Sequence, residues 1–273
     1  MTATQAEKAA RFRALHTAPG IFVMGNAWDG GSAKVLTGLG FVALATSSAA
    51  AAWTLGRQDG QLGRDEALAQ ARIIAGATAL PVSADLEKGF GDSPEVVAET
   101  VRLAAGAGLV GCSIEDATGN DAQPLYGLAQ AAERIAAAAE AAKALPFPFT
   151  LTARAENFLR GRTDLEETIR RLQAYERAGA DVLFAPGLPD LAAVRTVCSA
   201  VSRPVNFMAV IRGKSFSVAE LATAGVKRVS LATSLYRAAL SGLIDAAREV
   251  REQGTFGYIE RGVNSQEVNA FLR

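Results

Sequence analysis

The stretch Pro81-Val82-Ser83-Ala84-Asp85-Leu86-Glu87-Lys88-Gly89-Phe90-Gly91 places two carboxylates two residues apart, just before a Gly-aromatic-Gly loop. Residues two apart on a strand share a face, so an extended reading turns Ser83, Asp85 and Glu87 the same way. Two carboxylates side by side on a buried strand cost free energy unless something neutralises them. A hard divalent cation does so: Mg²⁺, with Mn²⁺ as the alternative, is held by one or two carboxylates together with waters and substrate oxygens. Solvated acids, or acids paired with Lys or Arg, answer the same pattern, so this stretch alone leaves the metal and the ion pair equally open. The balance shifts because acids recur at other candidate strand ends, as Asp59 in the loop after the second and Glu115 in the fourth, while the fifth supplies Arg154. Arginine matches a carboxylate bidentately, which makes Arg154 the natural anchor for an acidic substrate, with a buried ion pair to Glu156 or Glu115 as the competing reading.

Holding these side chains requires a regular frame. Eight short runs rich in Val, Ile, Leu and Phe read as strands: Ile21–Asn26, Phe41–Ser47, Pro81–Glu87, Gly111–Asp116, Phe149–Glu156, Asp181–Pro186, Pro204–Val210 and Arg228–Thr233. Helical spacing fills the gaps. Val97, Val101, Ala104 and Gly108 repeat over 93–108, and Leu165, Ile169, Leu172 and Tyr175 over 164–179, where Asp164 and Gly179 supply the caps. Residues 130–145 are Ala-rich and helical. Eight strand-helix units in roughly 250 residues predict an α/β fold, a (β/α)₈ barrel of the TIM type. One domain covers 1–273, with no linker or composition break. A last helix over 235–254 is followed by a tail at 255–273, with an amphipathic helix near 265–272 that exceeds the needs of the barrel. The tail is therefore expected to pack on a neighbouring subunit.

Composition excludes several classes of function. The 273 residues are 49% hydrophobic, enough for a sizeable core, and carry 28 basic and 28 acidic residues. Zero net charge argues against a dedicated nucleic-acid or anionic-membrane partner. Residues 1–16 are polar, with no apolar signal-peptide core, and the longest mostly apolar run, 41–53, is too short for a membrane span. Two cysteines, Cys112 and Cys198, cannot build a disulfide framework and fit a cytoplasmic setting. The single histidine, His16, lies in the N-terminal segment, which argues against a histidine-based zinc site or a Ser-His-Asp triad. Two motifs mislead. Gly106-Ala107-Gly108-Leu109-Val110-Gly111 has the spacing of a dinucleotide fingerprint but follows a helix and precedes a strand, the reverse of what that motif needs. Gly213-Lys214-Ser215 ends like a phosphate loop, yet Met208 stands where the first glycine belongs.

Active sites of such barrels sit at the C-terminal strand ends. Collected there are Gly25-Asn26-Ala27-Trp28-Asp29, Thr46-Ser47-Ser48 with Asp59-Gly60 following, Asp85-x-Glu87-x-Gly89-Phe90-Gly91, Ser113-Ile114-Glu115-Asp116 and Ala153-Arg154-x-Glu156, with Asn206 deeper in the seventh strand. In order and spacing this set resembles the isocitrate lyase / phosphoenolpyruvate mutase superfamily, over 12–239. The resemblance implies a Mg²⁺-dependent barrel that binds α-oxo carboxylates, stabilises an enolate, and makes or breaks the C–C or P–C bond beside it. It implies that Asp85 binds the metal while Asp59, Glu87 and Glu115 hold its waters. It also implies that Ser47, Ser48 and Arg154 grip the substrate, with Trp28 and Asn206 as further substrate contacts. Homo-oligomers, dimers or tetramers with a C-terminal helix exchanged between subunits, follow from the same resemblance.

The chain departs from the family in the loop after the fourth strand. Lyase branches carry a Lys-Lys/Arg-Cys-Gly-His motif there, and this chain reads Ala117-Thr118-Gly119-Asn120-Asp121-Ala122-Gln123-Pro124-Leu125-Tyr126. Cys112 falls inside the strand as a small core residue. The expected function is therefore a C–C lyase or decarboxylase of an α-oxo acid, because loss of carbon dioxide needs no proton acceptor. Short and without Lys, Cys or His, the loop leaves room for a second carboxylate, so oxaloacetate or 2-oxoglutarate is preferred over pyruvate. Phosphonopyruvate-type P–C chemistry is the alternative, and an oxo-acid-binding barrel with little turnover is the third reading.

Overall fold

The structure is a computed structural model that describes residues 3–272. Eight parallel strands close in sequence order into a barrel, β1 next to β8. They are β1 (Phe22–Asn26), β2 (Leu44–Ala45), β3 (Val82–Asp85), β4 (Gly111–Glu115), β5 (Thr150–Arg154), β6 (Val182–Phe184), β7 (Val205–Met208) and β8 (Arg228–Ser230). The expected barrel is present, with shorter strands. At β2 the chain pairs only at Leu44 and Ala45, because Gly40 turns with φ 87° before it and Ser47 caps the next helix after it.

Helices α1 (Gln5–Thr17), α2 (Gly30–Gly38), α3 (Ser48–Thr54), α4 (Arg64–Gly76), α5 (Pro94–Gly106) and α6 (Leu128–Lys143) belong to the first half of the chain. The second half supplies α7 (Leu165–Arg177), α8 (Leu191–Ala200), α9 (Val218–Thr223), α10 (Ser234–Gln253) and α11 (Ser265–Leu272). As the sequence predicts, Asp164 caps α7, accepting the Glu167 amide at 3.0 Å. The outward faces of the strands and the inner faces of the helices form one core, in which Cys112, Ile114, Leu151 and Leu183 are fully buried. Cys112 thus points away from the barrel interior, among aliphatic side chains.

Helix α1 was not legible as an element. Thr4 and Glu7 cap it reciprocally, and Ala9, Phe12 and His16 bury its inner face against the N-terminal end of the barrel. Gly111 permits this closure: a Cβ there would lie 2.7 Å from the Thr150 carbonyl oxygen and 3.1 Å from the Phe12 ring.

The C-terminal segment behaves differently from the rest. Helix α10 buries no residue and leaves Leu243 64% and Ile244 44% exposed. Helix α11 rests on α2 of its own chain, where Phe271 covers Gly38 and Lys34 Nζ donates to the Leu272 carbonyl at 2.6 Å. A 20-residue amphipathic helix that packs through Leu235 and Tyr236 at its start and leaves Leu243 and Ile244 uncovered is a poor monomer surface, and we propose that a second subunit covers it. Replacing Leu243 and Ile244 together by Glu should then lower the oligomer order in sedimentation velocity without loss of helical circular dichroism. A wild-type chain that sediments as a monomer would refute this.

Candidate active site

The site is built from the last residues of four strands and the turns after them. Asp85 ends β3. Its Oδ2 accepts from the Ser48 amide at 3.3 Å and the Ser48 hydroxyl at 3.1 Å, and its Oδ1 accepts from the Glu87 amide at 3.4 Å and the Ser113 hydroxyl at 3.5 Å. The Ser48 hydroxyl also lies 3.1 Å from Asp59 Oδ1. One hydroxyl proton cannot serve both acids at once, so Asp59 and Asp85 compete for it. The Thr46 hydroxyl accepts the Asp85 amide at 3.0 Å and fixes the strand end. Ser47 caps α3, accepting from the Ala50 amide at 3.4 Å.

Glu87 reaches the mouth by a turn. The strand ends at Asp85, and Glu87 takes φ 50°, a left-handed conformation that costs free energy for any side chain but glycine. Phe90 at φ 62° and Ala232 at φ 46° are strained in the same way, both in turns after strands. The Asn26 side chain holds the second of these turns, its Oδ1 accepting the amides of Leu231 and Ala232 at 2.8 and 2.9 Å.

Arg154, the last residue of β5, pairs with three acids. Its Nε donates to Glu156 Oε1 at 2.5 Å, and its Nη1 lies 3.4 Å from Glu115 Oε2 and 4.0 Å from Asp85 Oδ1. The guanidinium sits over the Phe184 ring, 5.1 Å from its centroid. Arg160 forms a second, looser bridge, 3.7 Å to Glu115 and 3.4 Å to Glu156. Asp116, next to Glu115 in sequence, turns outward and ties α7 to the strand ends. It accepts from Arg171 at 3.0 Å, Tyr175 at 2.5 Å and the Glu156 amide at 2.8 Å.

These residues surround an open cavity of about 780 Å³ that includes Ser47, Ser48, Trp53, Asp59, Asp85, Glu87, Glu115, Arg154 and Arg160 in its lining. Two of the sequence-predicted contacts stand apart from it. Trp28 packs edge-on to Tyr236 at 5.2 Å, and Tyr236 in turn meets Trp53 at 5.7 Å, so Trp53 is the tryptophan that reaches the cavity. Asn206 lies deeper, donating to the Ser230 hydroxyl at 3.0 Å and accepting from Arg228 Nε at 2.8 Å. Sequence reasoning passed over Arg160 and Lys88, which also line the mouth. The signal for Arg160 was its place in the loop after β5, six residues beyond Arg154.

The acids repel one another. Burial, then the Asp85 and Asp59 charges, push Glu87 up to about 7. Burial and Asp85 likewise raise Asp59, while burial raises Glu115 against the pull of Arg154. Burial opposes the charge on Arg154, and Glu156, Glu115 and Asp85 outweigh it, so this cation is held well above its usual range. Three crowded carboxylates pushed up by burial and by neighbouring charge are what a site would show if a divalent cation belonged to it. Among the described residues no three acid, imidazole or thiol groups converge on one point as a closed chelate. Mg²⁺ takes one or two protein carboxylates directly and holds the rest through water. The donor set is all oxygen: His16 is at the far end of the barrel and both cysteines lie away from the mouth, with Cys198 pushed up to about 11 by burial.

The family model described as phosphoenolpyruvate phosphomutase matches residues 12–251. The chain belongs to the isocitrate lyase / phosphoenolpyruvate mutase superfamily. Among solved structures of this superfamily's fold, a Burkholderia cenocepacia J2315 protein with the provisional name lyase/mutase is 52% identical, with a TM-score of 0.96 over 98% of this chain and 96% of that one. A phosphonopyruvate hydrolase, solved with oxalate and Mg²⁺, is 25% identical with a TM-score of 0.86, covering 97% of this chain and 94% of that one. The oxaloacetate decarboxylase of Ectopseudomonas mendocina is 29% identical over 256 residues, 91% of this chain and 86% of that protein. Among the described residues, no helix is long and apolar enough to cross a membrane.

The raised acids give the metal-free protein a pH signature. A carboxyl whose folded pKa lies above its unfolded value stabilises the fold below the unfolded pKa and loses that contribution as pH rises through the folded one. For Glu87 the window runs from its ordinary value of 4.5 to about 7. Metal-free protein should therefore lose stability across that window, and Mg²⁺ should restore it. The gain in melting temperature on adding Mg²⁺ should be larger at pH 8 than at pH 6; an equal gain at both would show that Glu87 does not take part.

Proposed function

We propose that the protein is a Mg²⁺-dependent enzyme acting on an α-oxo carboxylate, with a dicarboxylic oxo acid such as oxaloacetate as the preferred substrate, and that it breaks the C–C bond beside an enolate. The observation that carries this reading is the approach of Arg154 Nη1 to Asp85 at one wall of a polar mouth that, among the described residues, is lined by no thiol and no imidazole. Asp85 would hold the metal, with Asp59, Glu87 and Glu115 oriented toward its waters. Bound there, Mg²⁺ supplies Lewis acidity to the oxo and carboxylate oxygens of a chelating substrate.

The chain's own residues do the rest. Arg154 presents Nη1 to a substrate carboxylate from a guanidinium already fixed by Glu156 and by the Phe184 ring, so little freedom is lost on binding. Ser48 can turn its hydroxyl from an acid to a substrate oxygen. Arg160, 40% exposed and only loosely bridged, is free to receive the distal carboxylate that separates oxaloacetate from pyruvate. Loss of carbon dioxide requires no base at the departing group, which suits a loop that carries neither the cysteine nor the histidine of the lyase branches. The decarboxylase relatives and the oxalate and Mg²⁺ in the phosphonopyruvate hydrolase support the same substrate class.

A thermal-shift panel with Mg²⁺ tests the class. Oxaloacetate or 2-oxoglutarate should stabilise the protein more than pyruvate or phosphonopyruvate, and the difference should shrink in Arg160→Gln. Stabilisation by a sugar phosphate and by none of the oxo acids would overturn both the substrate class and the mechanism.

A further inference from the structure

Beneath the mouth, inside the barrel, lies a small pit of about 50 Å³. Its floor is Arg228, 3% exposed, and Asn26, Asn206, Ser113 and Ser230 contribute polar walls while Asp85 and Arg154 stand at its upper rim. Arg228 is unlike the other buried arginines near the site. Arg171 meets Asp116 at 3.0 Å and Arg154 meets Glu156 at 2.5 Å, whereas Arg228 touches no carboxylate among the described residues. Its partners are neutral: Asn206 Oδ1 at 2.8 Å, Thr152 Oγ1 at 3.0 Å and His16 Nε2 at 3.2 Å.

His16 cannot supply the missing charge balance. Its Nδ1 lies 2.8 Å from the Phe12 carbonyl, so that nitrogen carries the proton and Nε2 accepts from Arg228. Burial and the Arg228 charge push the imidazole down to about 3, so it is neutral. A guanidinium has five N–H groups, and three are used here, which leaves one on each terminal nitrogen. A buried charge without a counter-ion is costly. Of the charged groups lining the pit, Arg154 already pairs with Glu156, Glu115 and Asp85, and Arg228 alone is left without an anion among the described residues. The volume fits a few waters or one planar carboxylate.

We propose that the pit is a subsite for one carboxylate group of the substrate, lowered from the mouth onto Arg228. The identity of the substrate rests on the function proposed above; the affinity of the pit for a carboxylate does not. The test uses formate as the probe, in thermal melts of metal-free protein at constant ionic strength, with HEPES as the balancing anion. The wild type should show a saturable rise of about 3 °C at ten times the Kd. Asn206→Asp places a fixed carboxylate where the amide oxygen now accepts from Arg228 Nε, so this variant should melt higher than the wild type and ignore formate. Arg228→Met, if it folds, should also ignore it. No saturable response in the wild type, or the same response in Asn206→Asp, would overturn the subsite. In a second arm, pyruvate or oxaloacetate is titrated against formate. Competition assigns the pit to the substrate's own carboxylate, and additive shifts would overturn that assignment. Should no oxo acid bind while formate still does, the proposed function fails and the anion site stands.

Discussion

Asp85→Asn is expected to abolish Mg²⁺-dependent turnover while making the metal-free protein more stable. The two effects have one cause. Asp85 receives the Ser48 amide and hydroxyl on one oxygen and lies near Ser113 and Arg154 with the other, which fixes its carboxylate at the mouth where the cation is proposed to bind. The same charge raises its neighbours Asp59 and Glu87. Losing several kcal/mol of Lewis-acid stabilisation corresponds to a fall in kcat/KM of about 10³-fold or more. Relief of like-charge crowding should raise the metal-free melting temperature by roughly 2 °C or more. Calorimetric titration of Mg²⁺, with an oxo acid present, should show one site per chain in the wild type and none in the variant. Equal metal binding by both would remove Asp85 from the role.

Arg154 should separate folding from binding. Glu156 is 1% exposed and takes its closest charge contact from Arg154 Nε at 2.5 Å, with Arg160 further off at 3.4 Å. Arg154→Met strips a buried ion pair of one partner and should cost about 3–5 kcal/mol in denaturant unfolding. Arg154→Lys keeps the charge and loses the planar fork, so most of the stability should remain while kcat/KM falls about 10- to 100-fold, the size of a charged hydrogen bond of about 1–3 kcal/mol. A lysine variant as active as the wild type would show that the substrate does not use the fork.

Much of this arrangement was legible in the sequence because two periodicities carried it. Short apolar runs entered from Gly or Pro alternated with helical spacing eight times, and closure followed from the count. The acids and Arg154 were legible because barrel function gathers at strand ends. Other features were hidden for physical reasons. Glu87 lies beyond the strand in a left-handed turn, so the alternation rule that would place it beside Asp85 does not apply, although it reaches the same mouth. Helix α1 mixes charged side chains and alanines on its surface and buries only Ala9, Phe12 and His16, too few to stand out in a polar segment. Arg160 and Arg228 were passed over because single arginines carry no spacing; one acquires meaning from the loop after β5, the other from facing across the barrel to Thr152 and His16. The apolar face of α10 reads as an ordinary amphipathic helix until the fold leaves Leu243 and Ile244 uncovered.

Mg²⁺-dependent bond cleavage in an α-oxo acid is the reaction on which the roles of Asp85, Arg154 and Arg160 all depend. Proton NMR of oxaloacetate, 2-oxoglutarate, pyruvate and phosphonopyruvate, incubated with the protein and corrected for the same mixtures without it, measures that directly. The predicted result is conversion of at least one oxo acid, with oxaloacetate fastest, that stops on chelation of the metal and is missing in Asp85→Asn. Saturable binding of the oxo acids without conversion of any, or conversion that chelation leaves untouched, would contradict it.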